Sequence, residues 1–308
     1  MKELIVSVQA AGWLNPLLAE GKCEEGFALM KECGVEALDY NFEAKLPHRS
    51  IESGDKGTFF TQSIEEIIEY LKPIKAAADK YGIAFAQAHA PFPAYRLGDD
   101  EYNKYLIETI EKCMEACVFL GCPAIVVHPF CHIDRKVAEE ANLSVYRALI
   151  PAAKKYGVKV CLENIFFYHG GRIVVIDCSD AKRAAALVDK LNEEAGEDVF
   201  GFCFDLGHTT LLGTNVREFI RTMGKRITVL HLHDNDGVRD QHLAPMTQRK
   251  VDWDGLIDGL RDIGYRGPIS FESAKSILDG YPTELWGAMI EYTAEVGKYI
   301  RGKVLENA

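Results

Sequence analysis

Eight apolar, strand-like runs alternate with eight helix-like runs along this chain of 308 residues. Such alternation predicts parallel strands, because each connecting helix returns the chain to the same end of the sheet. Eight strand–helix units are the number that closes a parallel barrel. We therefore predict an α/β fold, a single (β/α)8 TIM barrel that occupies residues 1–308 as one domain. The predicted strands are 4–9, 36–41, 83–89, 123–128, 158–164, 199–205, 227–233 and 268–272, and the predicted helices are 23–33, 63–81, 99–120, 134–156, 179–195, 215–223, 253–263 and 282–302.

Short local signals support the predicted helices. Ser63 and Glu66 have the spacing of a capping box, in which each side chain bonds to the backbone of the other residue at a helix start. Pro73 is predicted to kink or break this helix, because proline lacks an N–H and clashes with the preceding turn. Three glycines directly follow helix-like runs, as C-terminal caps do: Gly82, Gly121 and Gly157.

Composition limits the class of protein. The net charge of −11 disfavours nucleic acid and anionic membranes as partners, because both attract basic surfaces. No apolar run reaches the about 18 residues of a membrane span, and the N-terminal residues do not resemble a signal peptide. The nine cysteines lack a disulfide spacing, which favours free thiols in a reducing compartment. We expect a cytoplasmic protein, in which Trp286 suits either a homo-oligomer contact or packing against the barrel.

Six of the eight strand-like runs end in a residue that can bind a metal. The carboxyl ends of parallel strands lie together at one end of a barrel, so these residues are predicted to meet in one pocket. Histidine nitrogens and carboxylate oxygens that converge in this way are ligands for a divalent metal. The six residues are His89, His128, Glu163, Asp205, His231 and Glu272.

The two glutamates carry the strongest signal, because each directly follows apolar strand residues, in VCLE and ISFE. A carboxylate at such a position is costly to bury unless it is paired or bound to a cation. The alternative is that backbone amides or arginines satisfy Glu163 and Glu272, with no metal bound.

Histidines close to the last ligand strands are further candidates. His208 follows Asp205 by three residues, which suits contact with a metal or a substrate, although a loop histidine without a role is the alternative. His231 and His233 lie on the same face of one strand, because side chains alternate with period two. In a barrel that face points inward, so we expect both histidines in the cavity.

Two other pairs of residues have less decisive patterns. His89 and His128 each precede a proline, and each suits either a ligand or a core histidine bonded to a neighbour. Asp240 and His242 form a second Asp/His pair, in the loop after the seventh predicted strand.

This ordered set of residues resembles the metal site of the xylose isomerase-like barrels, which include sugar isomerases, ketose 3-epimerases, inosose-type isomerases and dehydratases, and endonuclease IV. The resemblance covers nearly the whole chain. His231 rather than His233 matches the family ligand, because that ligand is followed at the third position by an acid, here Asp234. The segment IGYRGPISFE is also typical of the sugar enzymes. The resemblance implies one divalent ion, Mn, Mg, Co or Zn, held by Glu163, Asp205, His231 and Glu272.

The resemblance also implies a metal-dependent isomerase or epimerase of carbohydrate metabolism, acting on a small sugar, sugar phosphate or polyol-ketone. In that reaction the metal polarises a carbonyl while a proton leaves the adjacent carbon, and an enediolate forms. Glu163 and Glu272 are the predicted catalytic bases. Two bases on opposite faces give epimerisation, whereas one base that returns the proton to the neighbouring carbon gives aldose–ketose isomerisation. The candidates for substrate contacts are His208, His233, Arg239 and His89.

Two other functions stay open at this stage. Endonuclease IV, a zinc-dependent apurinic-site endonuclease, belongs to the same family and holds three zinc ions through further ligands. The net charge of this chain and the acidic residues Asp99, Asp100 and Glu101 argue against DNA binding, because a duplex selects basic loops. The other alternative is a barrel that binds sugar or metal without turnover. The possible additional metal ligands, for a second or third zinc, are His89, His128, His208, Asp240 and His242.

The loop after the seventh predicted strand departs from the family pattern. Many sugar-active relatives have a Gly-x-Gly turn there, followed by an Asp-Trp pair. This chain keeps Asp252 and Trp253, but residues 246–249 read MTQR in place of the glycines. This loop is where the far end of a substrate is expected, so the resemblance does not imply a particular sugar.

Overall fold

The computed structural model describes residues 3–9, 14, 17, 20–273, 278 and 281–306. Within these ranges, eight parallel strands form one sheet that curves into a nearly closed barrel with helices outside it. The predicted (β/α)8 architecture is therefore confirmed. Two further strands form a separate hairpin. The strands are β1 Val6–Gln9, β2 Ala37–Asn41, β3 Ala84–His89, β4 Ala124–Val126, β5 Lys159–Glu163, β6 Phe166–His169, β7 Arg172–Val175, β8 Phe200–Asp205, β9 Ile227–His231 and β10 Ile269–Phe271, of which β6 and β7 form the hairpin.

The barrel strands pair in the order β10-β1-β2-β3-β4-β5-β8-β9, all in parallel. The remaining gap, between β9 and β10, is closed by a bridge between Leu232 and Phe271. Here the Leu232 N–H donates to the Ser270 carbonyl over 2.9 Å, and the Glu272 N–H donates to the Leu232 carbonyl over 3.0 Å. The seam of the barrel thus lies beside His231 and Glu272.

The helices begin and end close to the predicted positions. Ser63 and Glu66 form the predicted capping box, and Gly82, Gly121 and Gly157 end their helices in the left-handed conformation, with φ of 66°, 75° and 63°. The helices in the described part of the chain are α1 Cys23–Glu32, α2 His48–Ser53, α3 Ile64–Tyr81, α4 Asp100–Leu120, α5 Arg135–Tyr156, α6 Ala181–Ala195, α7 Leu206–Leu211, α8 Val216–Met223, α9 Trp253–Asp262 and α10 Trp286–Leu305, with single 3-10 turns at Glu43–Lys45, Asp177–Ser179, Gly224–Arg226 and Thr283–Leu285.

Of the kink or break predicted at Pro73, the break is wrong, because α3 continues without interruption to Tyr81. A proline at position 73 removes the hydrogen bond to the carbonyl of Glu69. Both residues lie on the exposed face of the helix, so water can bond to the freed carbonyl. The helix is therefore held by its apolar face, where Ile67, Leu71 and Ile74 are buried.

The core has two layers. A large cluster fills the space between the strands and the helices. Two small clusters consist of strand-run residues and therefore fill the inside of the barrel: Ile5, Ala37 and Ala86 in one, and Ala124, Val126, Cys161, Cys203 and Val229 in the other. These inward residues are mostly alanine, cysteine and valine, and the larger polar side chains of His89, Glu163 and His231 lie at the carboxyl ends of their strands.

The last helix packs closely on the first strand. A Cβ atom added at Gly297 would lie 2.6 Å from Val6 Cγ1, so the absence of a side chain permits this approach. Trp286 at the start of α10 is half-buried against the core, and its Nε1–H donates to the Tyr281 carbonyl over 3.3 Å. Trp286 thus packs against the barrel, and its part in a homo-oligomer contact stays a prediction.

Two composition-based expectations concern the whole described structure. All nine cysteines are free thiols, and Cys161 and Cys203 lie inside strands as predicted. Of the helices within the described residues, none is both long and apolar enough to cross a bilayer.

Candidate active site

Four predicted ligands converge at the carboxyl end of the barrel. One ligand atom from each of Glu163, Asp205, His231 and Glu272 lies within 4.8 Å of the others; we call these residues the strand-end cluster. His231 Nδ1 lies 3.2 Å from Glu163 Oε2 and 3.1 Å from Glu272 Oε2. Two ligands of one ion lie up to about 4.4 Å apart, so this spacing suits a shared cation.

The polar atoms of the cluster that lack hydrogen bonds also support a metal site. Glu163 Oε2, His231 Nδ1 and His231 Nε2 are buried and make no hydrogen bond of acceptable geometry within the described residues. Buried polar groups are rarely left without a partner. Three carboxylates and a histidine with spare lone pairs have the donor chemistry of a divalent-metal site. The residues present therefore fit the metal that the sequence predicts.

A different histidine lies beside each of the two glutamates, Glu163 and Glu272. His128 Nε2 lies 3.0 Å from Glu163 Oε2. His89 Nε2 lies 3.4 Å from Glu272 Oε1, and that oxygen accepts a hydrogen bond from Gln9 Nε2 over 2.8 Å. His89 and His128 are thus brought to the site as predicted, each beside one of the two proposed bases.

A second group of ligand-type residues adjoins the first. His208, His233, Asp240 and His242 also have ligand atoms within 4.8 Å of one another; we call them the loop cluster. Asp240 Oδ2 lies 3.3 Å from both His208 Nε2 and His242 Nε2. The rings of His233 and His242 stack, with centroids 4.0 Å apart.

Asp205 connects the two clusters. Its Oδ2 lies 3.1 Å from His233 Nε2, and its Oδ1 accepts the His208 N–H over 2.6 Å as the N-cap of α7. Asn164 fixes the same turn, because its amide exchanges two 2.7 Å hydrogen bonds with the Asp205 backbone. His208 Nδ1 lies 2.8 Å from the Asn164 carbonyl. The strand-to-helix turn thus positions both Asp205 and His208.

A buried aspartate and a glycine shape the loop after β9. The Asp234 backbone pairs with that of Leu243 over 3.0 and 2.8 Å, and Asp234 Oδ2 accepts the Gln248 N–H over 3.0 Å. These bonds fold the loop back so that Asp240 and His242 reach the mouth of the barrel. A Cβ atom at Gly207 would overlap the His233 ring. The close packing of that ring therefore depends on glycine at 207.

Burial and charge oppose each other in both clusters. Burial alone would lower the pKa of His231, but the carboxylates of Glu272 and Glu163 raise it above its ordinary value. Burial would raise the pKa of Glu163 and of Glu272, and the facing histidines hold both well below the usual range. Likewise, Glu272 and Asp240 raise the pKa of His242 to about 10 against the effect of burial. A bound cation would displace the proton from each histidine nitrogen that binds it.

Arg239 is the predicted site residue that the structure does not bring to either cluster. Its side chain is 71% exposed, and its guanidinium pairs with Asp236 over 2.8 Å. The role of Arg239 in binding substrate stays a prediction.

Sequence reasoning missed three polar residues inside the barrel: Gln9, Asp39 and Gln87, all of which are buried. Asp39 Oδ1 lies 2.9 Å from His89 Nδ1, and Gln87 Nε2 donates to Asp39 Oδ2 over 3.0 Å. A signal for Asp39 was present, because it stands between Leu38 and Tyr40 in a strand-like run, as Glu163 follows apolar residues.

The hairpin β6–β7 was also not predicted, and it forms one wall of the mouth. Gly170 and Gly171 have φ of 56° and 74°, which gives the two-residue turn that suits the twist of paired strands. The Phe166 ring meets the edge of His208 at 5.2 Å. The Tyr168 hydroxyl lies 3.5 Å from the Val238 carbonyl on the β9 loop.

A cavity of about 220 Å³ lies outside the barrel, beside α5, the β7 strand and α6. Its lining includes Ile133, Arg135, Asp177 and Arg183, and none of the ligand-type residues of the two clusters. Arg135 and Arg183 already pair with Asp177 over 2.8 and 3.2 Å. We therefore place the candidate active site at the strand ends rather than in this cavity.

Comparison with known proteins agrees with the fold. A model of the family described as xylose isomerase-like TIM barrel matches residues 27–296. The chain belongs to this family. The expected membership of the xylose isomerase-like barrels is confirmed.

Two curated relatives are 28% and 26% identical to this chain over part of its length. An uncharacterized protein of Methanocaldococcus jannaschii is 28% identical over 225 residues, which cover 69% of this chain and 70% of that protein. An inosose isomerase of Bacillus subtilis is 26% identical over 182 residues, 56% of this chain and 62% of the enzyme. The match to the enzyme thus spans less than two thirds of its length.

Solved structures share the fold over almost the whole chain. D-psicose 3-epimerase of Clostridium cellulolyticum H10, solved with D-tagatose, has a TM-score of 0.70 at 18% identity and covers 97% of this chain and 99% of that chain. A 3-keto-D-glucoside 4-epimerase from E. coli has a TM-score of 0.63 at 18% identity, covering 96% and 100%. At these identities the likeness concerns the fold.

Proposed function

We propose that the protein is a divalent-metal-dependent isomerase or epimerase of a small sugar, sugar phosphate or polyol-ketone, which transfers a proton next to a carbonyl through an enediolate. The observation that carries this proposal is the strand-end cluster, in which Glu163 and Glu272 both approach His231 Nδ1 within 3.2 Å. Two carboxylates that both approach one ligand nitrogen suit a shared cation, and a substrate bound to that cation would lie within reach of both proposed bases.

Glu163, Asp205, His231 and Glu272 would hold the ion, with Mn, Mg, Co and Zn as the candidates. When bound there, a divalent ion supplies Lewis-acid stabilisation of the negative charge that develops on a substrate oxygen. The loop cluster, rich in imidazole, is the proposed place for a second zinc. A third zinc would need His89 and His128, which face the two glutamates.

The two glutamates are proposed as the bases. His128 at 3.0 Å from Glu163 and His89 at 3.4 Å from Glu272 can keep each carboxylate oriented. Removal of a proton by one glutamate and delivery by the other inverts the carbon, which is epimerisation. Removal and return by the same glutamate to the neighbouring carbon is isomerisation.

The proposed substrate contacts surround this pair. His208 faces the mouth between Asp240 and the Phe166 ring. His233 and His89 are more deeply buried, where they hold Asp205 and Glu272 in place. Arg239, exposed on the β9 loop, would reach only a substrate that extends beyond the mouth, such as a sugar phosphate.

The names of relatives support this class of reaction. Inosose isomerases from three Bacillus species are 26% identical to this chain over 56% of its length, and neighbouring folds include 3-epimerases and a 4-epimerase of sugars. A cytoplasmic location and a homo-oligomer remain predictions from the sequence.

Endonuclease activity is the second candidate, and one observation favours it. The nine residues that the resemblance matches to endonuclease IV ligands all lie in the two clusters or beside them. Against it stand the charge of −11 and the loop before α4, where Asp99 caps the helix and pairs with Arg96 over 2.7 Å. Sugar chemistry is therefore the stronger proposal.

Exchange of hydrogen in heavy water tests the proposal. The protein, loaded with Mn²⁺, would be incubated with a panel of ketoses, aldoses and inososes, and deuterium in each sugar measured by NMR. We expect deuterium at the carbon next to the carbonyl of at least one substrate, and none after removal of the ion. Binding of sugar without exchange by any substrate would support a non-catalytic barrel, and nicking of an abasic-site duplex would support the nuclease.

A further inference from the structure

Asp39 is a buried carboxylate that the proposed reaction does not use. It lies on the inner face of β2, while its neighbours Leu38 and Tyr40 belong to the core between strands and helices. Its exposed fraction is 0%. A carboxylate at such a depth needs partners, because its burial would otherwise be costly.

The partners of Asp39 are two histidines and an amide. Its Oδ1 lies 2.9 Å from His89 Nδ1. Its Oδ2 accepts from Gln87 Nε2 over 3.0 Å and lies 3.6 Å from His231 Nε2. The rings of His89 and His231 stack at 4.3 Å with an interplanar angle of 8°. Asp39 therefore sits at one edge of two parallel rings.

The opposite edges of these rings face the proposed site. His231 Nδ1 lies 3.1 Å from Glu272 Oε2, and His89 Nε2 lies 3.4 Å from Glu272 Oε1. Each imidazole thus has a carboxylate at both of its nitrogens. Only one nitrogen of a neutral imidazole carries a proton, so the position of Asp39 influences which nitrogen is free to bind a cation.

Asp39, His89 and His231 have ligand atoms close enough to suggest a metal group of their own. Two observations argue for a supporting role instead. Both oxygens of Asp39 already have nitrogen partners, Gln87 and His89, at about hydrogen-bond distance. His231 presents Nδ1 to the glutamates of the strand-end cluster, and a ring with Nδ1 on a cation carries its proton on Nε2, the nitrogen that faces Asp39.

We propose that Asp39 is a positioning residue. Its carboxylate, with Oδ2 3.6 Å from His231 Nε2, favours the proton on that nitrogen and so leaves His231 Nδ1 free for the cation. Its Oδ1 holds His89 toward Glu272. This inference rests on the metal-binding part of the proposed function. Outer carboxylates that orient a ligand histidine raise its basicity, and their loss typically weakens metal affinity about 10–100-fold.

The first test compares Asp39→Asn with the wild-type protein. The Asn side chain keeps the volume of Asp39 and removes its charge. Dissociation constants for Mn²⁺ would be measured by competition with a chelator, and the visible absorption of the Co²⁺ form would report the ligand field. We expect a roughly 10–100-fold higher dissociation constant and a changed Co²⁺ spectrum. An unchanged constant together with an unchanged spectrum would overturn the proposal.

Ser270→Ala is the matched control. Ser270 is also buried on a barrel strand, and its hydroxyl makes no hydrogen bond within the part of the chain that the structure describes. We expect wild-type Mn²⁺ affinity in this variant. An equal loss of affinity in Ser270→Ala would assign the effect to general disturbance of the barrel and overturn the role of Asp39.

A second measurement decides the matter without relying on the folding of Asp39→Asn. The wild-type protein, labelled with ¹⁵N-histidine and loaded with Zn²⁺, would be studied by NMR, with His231 assigned by a His231→Gln sample. We expect a proton on Nε2 and a metal-bound Nδ1; the reverse arrangement would overturn the inference. A wild-type protein that binds no cation overturns the proposed function too, whereas equal binding by wild type and Asp39→Asn overturns the inference alone.

Discussion

The strand-end cluster and the loop cluster lie side by side, but they are built differently. The first takes its four residues from the ends of β5, β8, β9 and β10, where ladder hydrogen bonds hold the backbone. The second takes three of its four residues from the segment after β9, whose shape depends on a few bonds to Asp234. The strand-end cluster thus stands on hydrogen-bonded strands and the loop cluster mostly on a loop, and both lie at the same end of the barrel. The residues that we propose for catalysis, which need a fixed geometry, are those at the strand ends.

The donor atoms differ as well. The strand-end cluster has three carboxylates and one histidine, whereas the loop cluster has three histidines and one carboxylate. Oxygen-rich sites suit Mn²⁺ and Mg²⁺, and imidazole-rich sites suit Zn²⁺. We therefore expect the two neighbouring clusters to prefer different metals.

The largest expected effect is the loss of turnover in Glu163→Gln and in Glu272→Gln. Each change removes a proposed base and a ligand, so we expect kcat to fall by about 10²–10⁴-fold or more, the usual contribution of a general base. Steady-state assays on the substrate found by deuterium exchange would measure it. Glu108→Gln, exposed on α4, is the control and should keep wild-type activity. Turnover retained by both variants would refute the assigned roles.

Removal of one histidine from each cluster separates their functions. We expect His231→Ala to raise the Mn²⁺ dissociation constant at least about 100-fold, because a direct ligand should matter no less than an outer-shell partner. His242→Ala should leave Mn²⁺ affinity within a few-fold of wild type and reduce the number of bound Zn²⁺ ions. Calorimetric titration with each metal measures both quantities. Equal effects of the two variants on both metals would contradict the division into two sites.

Metal affinity at the strand-end cluster should increase with pH. The pKa of metal-free His231 is raised by Glu272 and Glu163 against burial, so this histidine keeps its proton to higher pH than a free imidazole. A cation must displace that proton, and each displaced proton changes the apparent affinity about tenfold per pH unit. Titrations with Mn²⁺ between about pH 6 and pH 8 in buffers of different ionisation enthalpy would count the protons. A pH-independent affinity would show that His231 is not a ligand.

The smallest effect concerns stability at the junction of the clusters. Gly207→Ala places a methyl group against the His233 ring, and we expect a loss of about 1 kcal/mol in the free energy of unfolding from overpacking. Gly302→Ala, in α10 with no atom near the added methyl, should be neutral or gain up to about 1 kcal/mol. Chemical denaturation measures both. Unchanged stability of Gly207→Ala would mean that His233 moves aside freely.

The barrel was predictable because its signals are local. Strand and helix periods, the cap at Ser63 and the glycines after helices each act over a few residues, and the structure keeps them. Pro73 was misjudged because its effect depends on which face of α3 it occupies, and that face is set by packing. The hairpin β6–β7 had a visible signal in Gly170–Gly171, between two runs of strand-forming residues.

The site was predictable only in part, for a physical reason. A strand end tells where its residue must lie, so Glu163 and Glu272 could be placed from the sequence. The approach of Asp240 to His208 depends on bonds between Asp234 and distant residues, which no local pattern reveals. Arg239 stands one residue before Asp240, yet the turn directs it to solvent and to Asp236.

The seam between β9 and β10 has a mechanical consequence. It is held by a short bridge at Leu232, and a candidate ligand flanks it on either side, His231 and Glu272. A cation shared by the two would act as a crosslink across the barrel joint that has the fewest paired residues among the described strands. Backbone amides at this joint should exchange with solvent faster than those between β5 and β8, and metal should slow them selectively. Binding of the ion would then directly stabilise the closure of the barrel between β9 and β10.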